Sequence, residues 1–374
     1  MKQEKIAIIG AGIGGLTLAA LLQKNGFEAH VYEQSQQFTR VGAGIQQSSN
    51  SVKVLRELGL EEHLRSCAFQ PQNWINREWD SGELKFDLPL GAAFEKEYGA
   101  PYLLMHRGDL HAALLSCVRA DSISLGKKLT NYELLDNGVR IQFEDGSVQD
   151  VDALVGADGV HSQVRELMLG KESPRFTGRV AYRTTFPASL MKGKRVADCT
   201  KWWGVDRHIV IYYINPRRDE LYFVTSLPEA DWSNESWSNK GNLNQLRSAF
   251  EGFHQEVQDV LDACPEVHKW ALYERDPLPT WTHERVVLIG DACHPMVPYM
   301  AQGAAMAIED TAILLRHLLD SSNFTQVFKN FQATRIERTS KIQLTSHKNQ
   351  WMSTRTDPAW VYGYDAWSEA LHVA

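Results

Sequence analysis

Asp291, Cys293 and His294 fall within four positions of one another in GDACHPMVPYMAQGAAMAIED, residues Gly290 to Asp310. Such a set is open to three chemistries: a metal site, a Cys/His nucleophile pair, or a hydrogen-bonding loop beside a bound molecule. Cys293 and His294 are adjacent, so on most backbones their side chains are expected to diverge, and no further ligands lie at metal-site spacing. A second stretch, Gly10-Ala11-Gly12-Ile13-Gly14-Gly15, fits G-x-G-x-x-G. In that pattern Gly10 permits a tight turn, Gly12 lets a pyrophosphate approach the backbone, and Gly15 lets a helix pack on a strand. The pyrophosphate would sit at the helix N-terminus, where free N–H groups and the helix dipole favour negative charge. Glu33 follows at the spacing of an acid that hydrogen-bonds a ribose, and an acid there disfavours a 2′-phosphate. A third stretch is Gly156-Ala157-Asp158-Gly159, followed by Arg165.

Elements must position these residues. KIAIIGAG, from Lys5, reads as a buried parallel strand ending in glycine. A helix is expected from about Ile13 to Asn25, stopped by Gly26. FEAHVYE then alternates into a second strand ending at Glu33, completing a β-α-β unit. WINREWDSGELKFDL predicts a hairpin around Asp80-Ser81-Gly82. Asp109 to Val118 reads as a helix with Asp109 in its first turn. Asn137-Gly138 and Asp145-Gly146 separate short strands, and VDALVGADGV resumes the buried-strand pattern. From about Phe176 to Tyr273 the texture is aromatic and β-branched, as antiparallel sheet requires. Helices are expected over Leu243–Glu251 and Gln255–Ala263. RVVLIGD, from Arg285, is again a buried strand, and helices follow from about Ala304 to Leu319 and from Phe324 towards His347. The fold class is α/β, a nucleotide-binding lobe interrupted by a β-rich lobe.

Composition narrows the function classes. The chain has 374 residues, 43% hydrophobic and 23% charged, with a formal net charge of −7 and no long basic run. Nucleic acid and anionic membranes are therefore not expected partners. Five separated cysteines without a C-x-x-C favour a reducing compartment over a disulfide framework. Ile6 to Leu22 is uncharged and follows Lys2 and Lys5, but its fixed glycines explain it better than a signal peptide does. A cytoplasmic location is expected.

The combination of G-x-G-x-x-G, ADG with a following arginine, and GDACHP resembles the group A flavin monooxygenases, single-component aromatic hydroxylases that bind FAD. That resemblance implies a Rossmann-like FAD-binding lobe with an inserted β-rich substrate lobe, of the p-hydroxybenzoate hydroxylase type, and C-terminal helices. The lobes would divide as 1–72, 100–175 and 276–320 for FAD, 73–99 and 176–275 for substrate, and 321–374 for the helical tail. It further implies non-covalent FAD, a transiently bound NADH and O2. Gly10, Gly12, Gly14, Gly15 and Glu33 would then hold the adenosine half. Arg40 and Arg107 would contact the flavin side, Asp291 the ribityl chain, and Asp158 a loop shared by FAD and the nicotinamide donor. Pro295 and Pro298 would stiffen the loop after Gly290, and the helix opening at Gly303 and Ala304 would aim its positive end at the flavin N1/O2 edge. Neither a metal nor a thiol nucleophile is needed.

Within that group, RVGAGI, EYGAPYLLMHRGDLH, CTKWWGVDRHIVIYY, YFVTSLPEADW and DPAWVYGYD resemble the 6-hydroxynicotinate 3-monooxygenases. The resemblance implies a substrate pocket carrying Cys199, His208 and Tyr212, with Gln46, Tyr299 and Met300 beside it. There a flavin C4a-hydroperoxide would deliver oxygen to an electron-rich ring, with His208 and Tyr212 accepting or relaying the proton of the substrate oxygen. Decarboxylating hydroxylation of 6-hydroxynicotinate to 2,5-dihydroxypyridine is the expected reaction. Two positions depart from the family pattern, Gln46 and Tyr299, where histidines are the rule. Alternative substrates are therefore 2,6-dihydroxynicotinate, 6-hydroxypicolinate, and a hydroxybenzoate or salicylate; a flavin-binding sensor without turnover is the alternative of another class. Read as residues alone, Cys199, His208 and Tyr212 fit better as packed strand residues, and it is the resemblance that makes them site residues. A monomer or a homodimer is compatible with all of this.

Overall fold

The computed structural model describes residues 4–40, 43–230 and 240–374. Val41 and Gly42 of RVGAGI, and Asp231-Trp232 at the end of YFVTSLPEADW, lie outside the described residues, as does Lys2. Five short apolar strands make the parallel part of a six-stranded sheet. Lys5–Ile9 runs between Glu28–Tyr32 on one side and Ala153–Gly156 on the other, all parallel. Val286–Leu288 follows beyond Ala153–Gly156, and Ile123–Ser124 lies outside Glu28–Tyr32. Antiparallel Thr282–His283 closes the first edge. Strands such as KIAII, ALVG and VVL are apolar because both faces of a parallel sheet are covered. The chain leaves Lys5–Ile9 towards one edge and returns at Ala153–Gly156 on its other side. Strand order thus reverses between these two, which opens a crevice at their carboxyl ends.

The helix Ile13–Lys24 packs against the sheet and against the helix Gly303–Asp320. The helix Phe324–His347 lies along the latter. The other expected helix, at Asp109, begins two residues earlier and spans Arg107–Ser116. Its cap explains the shift: His106 Nδ1 accepts a hydrogen bond from the Gly108 N–H at 2.9 Å.

A seven-stranded sheet forms the second lobe. Its order is His268–Glu274, Arg175–Pro187, Glu220–Pro228, His208–Tyr213, Cys199–Trp203, Asn73–Glu78, Leu84–Pro89. Asn73–Glu78 and Leu84–Pro89 are the two arms of the hairpin at Asp80-Ser81-Gly82, with Gly82 at φ +73°. Asn73–Glu78 pairs parallel with Cys199–Trp203, Thr200 beside Ile75, so residues 125 positions apart share one sheet. A small antiparallel sheet (Leu129–Leu135, Gly138–Phe143, Val148–Val151) covers the first lobe.

Candidate active site

A cavity of about 450 Å³ opens between the two lobes, at the crevice where strand order reverses. Its first wall is made of loops leaving three parallel strands. Gly10 stands at φ +104°, and a Cβ there would lie 2.5 Å from the Ala157 carbonyl oxygen, so only glycine closes this turn. At Gly15 a Cβ would lie 2.0 Å from the Gly10 carbonyl oxygen; helix and strand approach too closely for any side chain. Gly12 differs. A Cβ there meets nothing within 4 Å, and Gly12 lines the cavity at the start of the helix Ile13–Lys24. Glu33 is not on the cavity wall; it accepts hydrogen bonds from the N–H groups of Ala11 (2.8 Å), next to the wall residue Gly12, and Ser35 (2.9 Å), and keeps lone pairs to spare.

Asp291 projects into the cavity from the loop after Val286–Leu288. No hydrogen bond to its carboxylate is found among the described residues. Solvent reaches this side chain by way of the cavity, while the surrounding protein pushes its pKa up; His294, Arg107 and Arg165 pull the other way. Arg107 also lines the cavity, through which solvent reaches it, while the surrounding protein and the nearby Arg183 lower its pKa. Opposite stand Gly303 and Ala304, the first residues of an 18-residue helix whose N-cap, Gln302, gives no side-chain cap. Free N–H groups and the positive end of that helix therefore face the cavity. A glycine cradle, an unspent carboxylate and a helix N-terminus suit the pyrophosphate, the ribityl hydroxyls and the electron-rich edge of FAD.

The second wall is one face of the seven-stranded sheet. Its registers set side chains in rows. Tyr222, Tyr212 and Cys199 form one row, Arg183, Val224, Val210 and Lys201 the next, and Ser226, His208 and Trp203 a third. Tyr212, Tyr222, Val224 and Arg183 line the cavity, joined by Trp270 and Leu272. Arg183 stacks on Trp270 at 3.9 Å. Gly44 lets its strand approach, because a Cβ would lie 2.7 Å from the Tyr212 hydroxyl. Burial raises the Tyr212 phenol well above its usual range, with Tyr222 and Cys199 adding to it, so the hydroxyl stays protonated. Gln46 reaches the cavity and accepts a hydrogen bond from the buried Tyr102 hydroxyl.

Several residues singled out from the sequence lie elsewhere. Cys199, His208, Tyr299 and Met300 are buried but are not on the cavity wall. Burial, then Lys201 and Arg179, hold His208 well below its ordinary pKa, so it is neutral. Tyr299 hydrogen-bonds Ser226 at 2.9 Å and sets its ring 5.6 Å from that of His208. Arg40 pairs with Asp109 at 3.0 Å on the exposed rim. Asp158 turns inward, accepting from Ser162 Oγ (2.5 Å) and the Val164 N–H (3.0 Å), while its neighbours Ala157 and Gly159 line the cavity. Arg165 joins this loop to the next by donating to the carbonyls of Val160 and Ala292, each at 2.7 Å. Pro298 is on the wall.

The expectation for Cys293 and His294 needs correction. Their ligand atoms do not diverge, and a third residue joins them: Cys293, His294 and Asp310 come within 4.8 Å of one another. Local spacing hides this, because Asp310 arrives from the helix packed beneath the loop. Asp310 is already engaged. It accepts from His294 Nε2 (2.6 Å), the Gly290 N–H (2.9 Å) and Arg335 Nε (2.8 Å). Burial raises its pKa, but His294 and Arg335 outweigh that and hold it ionised. The cluster braces the turn at Gly290 (φ +60°) that aims Asp291.

Arg183, Tyr222 and Trp270, all on the cavity wall, were not visible as site residues in the sequence. Lys201, buried on the same sheet face but off the wall, left a signal, a lysine inside a buried strand, in CTKWW. Burial pushes its ammonium down to about 7. Between that value and its ordinary one near 10.5, the unfolded chain holds a proton that the folded chain has released. Stability from this group therefore rises with pH across that window, and below it the cost of the buried charge is carried in full. Lys201→Met is expected to flatten that rise in the urea midpoint between pH 7 and 10. An unchanged slope would count against the assignment.

Comparison with known proteins gives this geometry its family. Residues 3–325 match the FAD binding domain family. The 6-hydroxynicotinate 3-monooxygenase of Bordetella bronchiseptica is 44% identical over 99% of this chain and 97% of its own. That of Pseudomonas fluorescens has the same identity and coverage. A crystal structure of Klebsiella pneumoniae HpxO with FAD and uric acid superposes with a TM-score of 0.82 at 25% identity, covering 96% of this chain and 90% of that one. The chain belongs to the FAD-dependent aromatic monooxygenases. It is an oxidoreductase that uses FAD, O2 and a reduced nicotinamide on a small aromatic or heterocyclic substrate.

Proposed function

We propose that the protein carries out NADH-dependent, decarboxylating 3-hydroxylation of 6-hydroxynicotinate to 2,5-dihydroxypyridine. The observation that carries this reading is the continuity of the cavity: the Gly12, Asp291 and Gly303 side passes directly into the Tyr212, Tyr222 and Val224 side. Bound FAD, once reduced, supplies with O2 the electrophilic oxygen. Gly12 and the helix behind it would hold the pyrophosphate, Asp291 a ribityl hydroxyl, and Gly303 with Ala304 the flavin edge. Tyr212 and Gln46, both on the cavity wall, would orient the ring oxygen. The aromatic wall keeps water from the reacting face. In 6-hydroxynicotinate the ring oxygen lies para to the carbon bearing the carboxylate. Oxygen attached there gives a non-aromatic adduct that regains aromaticity by losing CO2. The acid, O2, NADH and a proton balance as dihydroxypyridine, CO2, water and NAD⁺.

His208, neutral and off the cavity wall, would act through Tyr299 and Lys201 rather than as a free base. Arg40 and Asp158 would serve the FAD by holding loops in place. The lobe boundaries given above are part of the same proposal, supported by the pairing of the 73–89 hairpin with the second sheet. So are a cytoplasmic location and a monomer or homodimer; among the described residues no helix is long and apolar enough to cross a membrane. The test is NADH oxidation by the FAD-loaded protein with 6-hydroxynicotinate and product identification by mass. Coupled formation of dihydroxypyridine is expected. A product that has gained oxygen and kept its carboxylate would overturn the decarboxylating reading.

A further inference from the structure

Lys201 is 2% exposed, and its Nζ rests 3.8 Å from the centre of the Trp203 ring. No ion pair or hydrogen bond to its ammonium is found among the described residues; burial lowers its pKa, and the neighbouring His208 is neutral. Buried lysines are rare unless paired, because a charge away from water needs a counter-charge. Cation–π contact with Trp203 offsets part of that cost. The strand position of Lys201 shows where a counter-charge would come from. It stands opposite Val210, whose partner Val224 lines the cavity, and it is the diagonal neighbour of Tyr212, another wall residue. Diagonal cross-strand neighbours lie roughly 7–8 Å apart at the backbone, within reach of a lysine. The other cation of the same row, Arg183, is stacked on Trp270 at the far end.

We propose that Lys201 is the carboxylate-binding residue of the substrate site, swinging from Trp203 towards Tyr212 to pair with the acid group of a ring carboxylate. This rests on the reading of the site as one for an aromatic acid. It places the carboxylate on the side of the ring away from Arg183, and it accounts for a buried lysine that no protein carboxylate pairs with. An acid that binds supplies that partner and holds the proton on the amine; a neutral ring of the same size leaves Lys201 on Trp203.

The experiment compares two probes on the FAD-loaded protein by flavin absorbance titration: 6-hydroxynicotinate, and 2-hydroxypyridine, the same ring without the carboxylate. Lys201→Met is expected to weaken 6-hydroxynicotinate about 100-fold and to change 2-hydroxypyridine by no more than about twofold, with FAD content unchanged. Lys201→Arg is expected to retain much of the preference for the acid. If both probes weaken equally, or neither changes, Lys201 is a packing residue and the proposal is overturned. Should Lys201→Met not fold, Lys201→Gln is read by the same ratio of the two affinities. If the unsubstituted protein binds a hydroxybenzoate but not 6-hydroxynicotinate, the substrate reading falls while the same comparison, with that acid and its parent phenol, still decides Lys201. Binding of no aromatic acid at all overturns both.

Discussion

Gly12→Val is expected to give a folded, colourless protein that retains less than about one-tenth of the normal FAD. The backbone at Gly12 is at φ −74° and ψ −174°, extended geometry that valine adopts without strain. A Cβ there meets no atom of the protein within 4 Å, so the chain itself has room for the side chain. The space it would enter is the cavity mouth in front of the helix Ile13–Lys24. Two methyl groups there keep the pyrophosphate from the helix N–H groups, and that contact is made with backbone that no other residue replaces. Gly15→Ala makes the informative contrast. Its methyl would collide with the Gly10 carbonyl oxygen at 2.0 Å, so it should cost stability before it affects affinity. Flavin absorbance relative to protein, read beside a thermal unfolding curve, separates the two. Full FAD retention in folded Gly12→Val would mean that the pyrophosphate lies elsewhere.

The cofactor side of the cavity was legible in the sequence because its geometry is local. Gly10, Gly12, Gly15 and Glu33 belong to one β-α-β unit, and the turn, the helix start and the acid follow from spacing within a few tens of residues. Asp291 was legible for the same reason: it sits between a buried strand and a helix, and both are readable from pattern. The substrate side is made by register, which spacing does not reveal. Arg183, Val224, Val210 and Lys201 share one row of the sheet although they come from four strands. A one-residue slip in any strand would turn that row to the other face. His208 illustrates the limit. Its place in the strand was readable, but its depth behind Tyr299 and its lack of a place on the wall depend on how the lobes close. The same holds for Cys293 and His294, whose third partner, Asp310, is brought in by a helix packed under their loop.

Arg335→Ala is expected to cost about 3–5 kcal/mol of stability, enough to leave the chain partly unfolded at ordinary temperature. Arg335 is fully buried, and its guanidinium bonds Asp310 Oδ1 and Glu309 Oε2, both at 2.8 Å. Burial alone would lower its pKa, but the two carboxylates outweigh that and raise it. Glu309 also accepts from Asn50 Nδ2 at 2.7 Å and from Nε and Nη2 of Arg338, whose guanidinium lies 3.7 Å over the Tyr364 ring. Removing Arg335 leaves two buried carboxylates with less positive charge than they need, which is why truncating one member costs more than the cluster contributes as a whole. Lysine is a poor replacement, since a single ammonium does not span both acids as the guanidinium does. The exposed Arg140–Asp150 pair has equally short contacts, yet Arg140→Ala should leave stability nearly unchanged because water serves both groups. Urea unfolding of the two variants tests that contrast. A small effect at Arg335 would mean that Asp310 is held by His294 and Gly290 without it. A large one, with weakened FAD binding in whatever protein remains folded, ties the buried charges to the turn at Gly290. Asp310 holds that turn through its N–H, and the turn in turn aims Asp291 into the cavity.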